Sequence, residues 1–270
     1  MDILRRTTEM VSQEAWHEMD EQAKRVLESH LSARKFIDVA PPKGWDYAAH
    51  PCGRLEVQSE TETTKNNVAY GIHQVLPLVE PRITFDLDLW ELDNITRGLK
   101  NPDLAPLEEA ARNIAIFEER AIYEGLPSAG IVGLAEAAKD RMMPMTDTSS
   151  VRGIMDAISS ALYRFQKDAV EGPYALVASP ELWKIIYSVS ECYPLIKNIK
   201  EVLNGPVILS THEKESFLVS TRGDDMELVI GQDLSLGFVG NDSRKGTFFF
   251  TESFTFRIIN PEAIIPLRIS

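Results

Sequence analysis

Between Gly53 and Gln74 the chain reads GRLEVQSETETTKNNVAYGIHQ. This stretch is polar and threonine-rich, alternates only weakly, and offers no apolar face that a local core could hold. Structureless loops of such length are uncommon inside a compact domain. A long exposed hairpin or arm, packed on another chain, resolves the difficulty. The fold must therefore be one whose subunits lean on one another.

The segments around this arm have clear periods. Ser12 is a good N-cap, with Glu14 in the first turn and Trp16, Met19, Ala23, Val26, Leu27 and Leu31 at helical spacing, so an amphipathic helix is predicted to end near Arg34. KFIDVAPPKGWDYAAH then reads as a short strand, a Pro-Pro break and another extended piece. Ile83, Phe85, Leu87 and Leu89 alternate with Thr84, Asp86 and Asp88, which predicts a half-buried strand carrying Asp86, Asp88 and Trp90 on its polar face. A long helix follows, with Leu107, Ala110, Ile114, Phe117 and Ala121 as its stripe and Gly125 as its stop.

A second helix is predicted over Val151–Ala169, with stripe residues Ile154, Ile158, Leu162 and Phe165. GPYALVAS is a buried strand, Ser179-Pro180-Glu181 starts a short helix, and PLIKNIKEVLNG is a helix closed by Gly205. VILS and FLVSTR are strands. MELVIGQDLSLGF is expected to pair with TFFFTESFTFRII across GNDSRKG, with Phe248, Phe250, Phe254, Phe256 and Ile258 on one face. The pattern as a whole is α+β.

Composition narrows the function. At 270 residues and 44% hydrophobic content, one large or two ordinary domains can be built. A formal charge of −13 opposes nucleic-acid binding and anionic membrane surfaces, and permits attraction of cations such as iron. Two cysteines, Cys52 and Cys192, exclude a disulfide scaffold and suit a reducing cytoplasm. No signal core or membrane-length apolar run is present. Arg222-Gly223-Asp224, followed by Asp225, reads as a hairpin turn rather than an adhesion motif.

Catalytic signatures are missing: no G-x-S-x-G, H-E-x-x-H, C-x-x-C, Walker loop or G-x-G-x-x-G occurs. The five histidines show no metal-ligand spacing. Asp86 and Asp88 form a D-x-D pair without a nucleotide loop, and are expected to be a solvated or intersubunit strand face; a cytoplasmic enzyme using that face is the alternative. Glu252 interrupts an apolar face and is expected to pair with a nearby arginine. His50 and Cys52 share a strand face without an orienting third group.

Five stretches, ARKFIDV with GWDYAAHP close behind, LDLWELDNITRG, EGPYALV, GQDLSLG and TESFTFRIINPEA, resemble the encapsulins in order and spacing. These are bacterial and archaeal shell proteins with the tailed-phage major-capsid fold. The resemblance implies an N-terminal arm helix and first strand over 1–52, an extended loop over 53–76, a peripheral domain with its spine helix over 77–135, an axial domain over 136–221, and completion of the peripheral domain over 222–270. It implies a non-enzymatic, self-assembling icosahedral nanocompartment of about 60 copies. The shell would enclose a cargo enzyme, a ferritin-like iron oxidase used in iron storage or a dye-decolorizing peroxidase, through a C-terminal cargo peptide. With the first helix starting near Ser12, cargo is expected to come in trans. A prophage major capsid protein is the alternative within the fold.

The same resemblance implies sites. The cargo peptide would dock in a groove walled by Leu27, Phe36 and Leu234, with Arg34 and Asp38 at its rim. Ser190, Glu191 and Cys192 would line a pore, where a ring of Glu191 favours cations. Trp90 would stack a flavin whose phosphate meets Arg82, as an optional ligand; no cofactor is required and no metal site is expected.

Overall fold

A computed structural model describes residues 2–7, 10–57, 69–189 and 193–269. In chain order its elements are α1 (Gln13–His30), β1 (Asp38–Val39), β2 (Ala49–Val57), β3 (Gly71–Pro77), β4 (Arg82–Asp88), α2 (Leu89–Thr96) and α3 (Ala105–Tyr123). Next come β5 (Gly125–Leu126), β6 (Ile131–Val132), α4 (Leu134–Ala137), β7 (Met143–Met145), α5 (Val151–Lys167), β8 (Tyr174–Ala178), α6 (Pro180–Ser188) and α7 (Leu195–Leu203). The rest is β: β9 (Val207–Leu209), β10 (Ser216–Ser220), β11 (Met226–Ile230), β12 (Ser235–Asn241), β13 (Lys245–Thr251), β14 (Phe254–Ile258) and β15 (Ile264–Ile269).

Local chemistry sets several boundaries. The Ser12 hydroxyl accepts from the Ala15 amide, and the Ser179 hydroxyl from the Leu182 amide, so two predicted N-caps open their helices. α1 stops at His30, one turn short of the expected end near Arg34. The cause is tertiary: the Glu119 carboxylate accepts hydrogen bonds from the Ser32 hydroxyl and the Ala33 amide and pulls the chain out of the helix. After α7 it is Asn204, at φ +50°, that takes the left-handed position expected of Gly205. Gly205 is required for another reason, since a Cβ there would sit 2.1 Å from the Tyr174 carbonyl oxygen.

Three apolar clusters organise the sheets. The first lies between sheet β12-β13-β4 and helices α1 and α3, and holds Trp16, Met19, Phe85, Leu107, Phe248 and Phe250. The second lies between α3, sheet β1-β11-β14 and one face of sheet β7-β15-β10-β8-β9, where Tyr123, Val177, Phe217, Phe254 and Phe256 meet. The third fills the other face of that five-stranded sheet against α5, α6 and α7, with Ile158, Phe165, Leu176, Leu182 and Ile199. α3 serves both of the first two clusters and acts as the spine of the fold.

Three expectations need correction here. The phenylalanine stripe does not lie on one face of one hairpin: the Glu252–Ser253 break between β13 and β14 sends Phe248 and Phe250 to the first cluster, and Phe254 and Phe256 to the second. The Arg222–Asp225 turn links β10 to β11, which lie in different sheets, so it is not a hairpin turn. The final strand β15 lies between β10 and β7 in the five-stranded sheet, so the 222–270 segment completes a sheet shared with strands of 136–221. The physical reason is that Ile264, Ile265 and Leu267 are buried and fill both faces of that sheet.

The arm is a two-stranded antiparallel ribbon of β2 and β3, irregular between Pro51 and Leu55. Residues 58–68, inside the predicted loop, lie outside the described residues. The first cluster gives the stability expectation. Phe248 is fully buried and stacks near Trp16 and Phe85, at centroid distances of 5.6 and 5.9 Å. Phe248→Ala should cost about 3–5 kcal/mol in a denaturant melt; a loss below about 1 kcal/mol would mean that the cluster collapses around the gap.

Candidate functional site

A groove runs along α1 where it meets the start of β12. Ala23, Leu27 and Leu31 form one wall, Leu234 the other, and Leu236 and Phe250 the floor. Asp20, Lys24, Glu28, Arg34 and Asp233 supply its polar edge, and the cavity measures about 290 Å³. The helix period puts Leu27 and Leu31 on the same face, one turn apart. Leu234 is held in place because Asp233 Oδ1 accepts both the Leu234 amide and Arg34 Nη1, each at 2.8 Å.

Beneath the groove Arg34 is buried among acids. Its Nε lies 2.9 and 3.0 Å from the two Glu118 oxygens, and its Nη2 lies 3.2 Å from Glu252 Oε2. Glu118 and Glu252 are fully buried. Burial works against the Arg34 charge, but hydrogen bonding to Glu118 and the fields of Glu118, Asp233 and Glu252 hold the guanidinium protonated well above its usual range. Burial, followed by the charge of Glu118, raises Glu252 well above the ordinary carboxyl value, and the Arg34 charge opposes that rise. Glu252 is thus an arginine partner, as its place in an apolar stripe suggested.

Of the five expected docking residues the structure brings three together, Leu27, Arg34 and Leu234. Phe36 is not a groove wall. It is buried in the second cluster, 6.2 Å from the Tyr123 ring, because the turn after α1 points it toward α3. Asp38 is not at the rim either. It sits at the start of the parallel β1–β11 pair and accepts the Asp224 amide at 2.6 Å. Arg222 in that turn is held by both Asp225 oxygens at 3.0 Å, so the Arg-Gly-Asp sequence is a closed structural corner.

Several residues of the groove and its base were not expected: Lys24, Leu31, Glu118, Asp233 and Phe250. A signal for Glu118 existed. It falls one turn after Ile114 and one turn before Ile122 on the apolar stripe of α3, where a carboxylate must find a buried partner.

Trp90 differs from the expectation as well. β4 ends at Asp88, whose carboxylate caps α2 by accepting the Trp90 amide at 2.9 Å, so Trp90 stands in a helix and not on the strand. Its ring is 70% exposed beside a cavity lined by Asp86, Asp88, Glu91, Asp103 and Lys245. Arg82 lies at the other end of β4, eight residues before Trp90, and the strand from Arg82 to Asp88 alone spans about 20 Å. There its guanidinium covers the Phe249 ring at 4.4 Å and pairs with Glu80 at 3.3 Å. Within one subunit, a phosphate placed at Trp90 would meet four carboxylates and Lys245, with Arg82 away at the far end of β4. Asp86 accepts the Thr247 hydroxyl and Asp88 the Arg244 Nε, the ordinary behaviour of a solvated strand edge.

The expected pore residues Ser190, Glu191 and Cys192 lie outside the described residues. His50 donates to or accepts from the Tyr47 hydroxyl at 3.1 Å, and no nucleophile–base pair involves Cys52. Among the described residues no group of three histidine, cysteine or acidic side chains could hold a metal ion, and no helix is long and apolar enough to cross a membrane.

Known proteins are similar to this chain in sequence and fold. The family profile described as "Encapsulating protein for peroxidase" matches residues 1–255. The chain is 33% identical over 268 residues to the type 1 encapsulin shell protein of Rhodococcus erythropolis, covering 99% of this chain and 100% of that one. It is 34% identical over 274 residues to the type 1 encapsulin shell protein of Rhodospirillum rubrum, covering 99% and 97%. Among solved structures, a virus-like particle from Pyrococcus furiosus matches with a TM-score of 0.66 at 17% identity, covering 94% of this chain and 99% of that one. The capsid of Myoviridae phage XM1 matches with a TM-score of 0.53 at 13% identity, covering 87% and 90%. These structural likenesses establish the phage-capsid fold, and the relatives are shell proteins rather than enzymes. The chain belongs to the encapsulin family of shell proteins.

Proposed function

We propose that this shell subunit builds a hollow cytoplasmic particle of about 60 copies that retains a cargo protein by the cargo's C-terminal peptide. The observation that carries this reading is the α1 groove: an apolar trough with a polar edge. Such a trough suits a short extended peptide, whose affinity comes from a few apolar side chains set into pockets. Oligomeric cargo engages several grooves at once, so a weak single contact suffices. A peroxidase is the cargo class that the family description supports, with a ferritin-like iron oxidase as the second class. Assembly needs no cofactor in this reading.

The ribbon supports assembly. Leu55, Val57, Ile72 and Val75 are exposed on β2 and β3, with Val57 at 68%, and nothing among the described residues covers them. Large apolar side chains in such number on a projecting ribbon mark a contact with a neighbouring copy. The double change Val57→Asp with Ile72→Asp should leave a folded subunit that elutes as small species in size-exclusion chromatography; normal particles would remove the ribbon from the interface. In the native preparation, absorbance should show protein without packaged nucleic acid, since packaged DNA would instead favour the prophage capsid.

The groove is tested at residues that do not hold the fold. Leu27→Glu with Leu234→Glu should leave empty shells intact and abolish cargo co-purification, and full cargo on such shells would place docking elsewhere. Arg34 does not offer a gentle test. Arg34→Ala would strand buried Glu118 and Glu252 and should cost about 3–5 kcal/mol in a urea melt; a loss under about 1 kcal/mol would show that water reaches those acids.

A further inference from the structure

Behind α3, away from the groove, a second polar cluster joins three parts of the fold. α3 supplies Glu119 and Tyr123, the end of α1 and its following turn supply His30 and Ser32, and the β9–β10 connection supplies His212 and Glu213. Glu119 is fully buried and accepts the Ala33 amide at 2.8 Å and the Ser32 hydroxyl. Ser32 Oγ lies 2.8 Å from Tyr123 Oη. The His212 ring stacks on His30, with centroids 5.4 Å apart and planes at 29°. Glu213 is 7% exposed. Among the described residues, the buried atoms Glu213 Oε1 and His212 Nε2 have no hydrogen-bond partner.

The charged neighbours do not neutralise these carboxyls. Glu213 faces Glu124, Glu119 and Glu215, with Arg120 as its nearest cation. Glu119 also feels Glu118, and His212 faces His30, Arg120 and Arg112. Two buried carboxyls that sense one another, without a dedicated buried cation, are held most cheaply as neutral acids.

We infer that this cluster is an acid-closed latch: with Glu119 and Glu213 protonated, the β9–β10 connection is held against α3 and the turn after α1, and ionisation of the two carboxyls loosens it. The latch fastens the five-stranded sheet to the arm helix, so the attachment of the axial part responds to pH. Burial, above all, pushes Glu119 up to about 7, and burial followed by the charges of Glu124 and Glu119 pushes Glu213 up to about 7. An acid raised in this way contributes stability that is full below its ordinary value of 4.5 and is lost as pH rises to about 7. His212 acts in the opposite sense. Burial, then His30, lowers it from 6.5, so its contribution is present above 6.5 and is lost as pH falls. Two carboxyls outweigh one imidazole, and the latch tightens toward acid.

The test is hydrogen exchange by mass spectrometry on the assembled particle, following residues 206–216 and correcting for intrinsic exchange. Between pH about 5 and about 7 the opening of this segment should increase roughly tenfold per pH unit for each carboxyl, less the histidine's opposing share. Glu213→Gln should remove one carboxyl's tenfold slope, and His212→Asn should steepen the profile. Corrected exchange that is flat with pH in the native particle, or an unchanged slope in Glu213→Gln, overturns the latch. Should Glu213→Gln fail to assemble, the native profile alone decides: opening of residues 206–216 that rises with pH supports the latch, and opening that is flat with pH overturns it.

Discussion

Arg34 sits where four segments meet, and each brings it a carboxylate or a bend. The turn after α1 carries the arginine, α3 carries Glu118, the start of β12 carries Asp233, and the break between β13 and β14 carries Glu252. Taking these charges from water is costly, and only nearly complete pairing offsets the cost. The pairing fixes how α1 lies across α3 and where the β13–β14 strand changes sheet. That change of sheet splits the phenylalanines into two clusters. Asp233 then sets Leu234 opposite Leu27, and so the groove exists. Remove the guanidinium, and the helix loses both its anchor and the opposite wall of the trough.

Much of this was legible in the sequence because burial writes a period. The α1, α3 and α5 stripes, the Phe85 strand, two serine caps and the polar arm all follow from spacing and turn chemistry. What was not legible depends on partners distant in sequence. The Glu119 carboxylate ends α1 early, and no local pattern near Arg34 announces an acid that lies more than eighty residues away. Alternation carried Trp90 onto the strand, but Asp88 could serve equally as a helix cap, and the cap prevailed. β15 reads as an apolar run with no sign of which sheet takes it. Of the groove, the resemblance supplied Leu27, Arg34 and Leu234, whereas Phe36 and Asp38 were drawn into the core and a corner by contacts that only the fold supplies.

The same physics separates what the subunit settles internally from what it leaves to others. Some of its acids are paired, like Glu118 beside Arg34, and some accept backbone amides at helix starts, like Asp88 and Asp103, whereas buried Glu119 and Glu213 have no ion-pair partner among the described residues. Among the described residues most large apolar side chains are buried in three clusters, and exposed ones lie along the ribbon and at scattered points such as Trp90, Tyr163 and Tyr187. A monomer would expose those surfaces to water at a cost, whereas closed assembly of identical copies removes them without creating fibres. The groove is different in kind, since it is small, edged with charge and suited to a peptide rather than to another shell face.

Mass photometry of the purified protein tests the container account most directly. A subunit of 30.3 kDa that closes as the smallest icosahedral shell should give one dominant species near 1.8 MDa, about 60 copies. A preparation that stays near the subunit mass, at concentrations where the ribbon variant and the native chain behave alike, would contradict it.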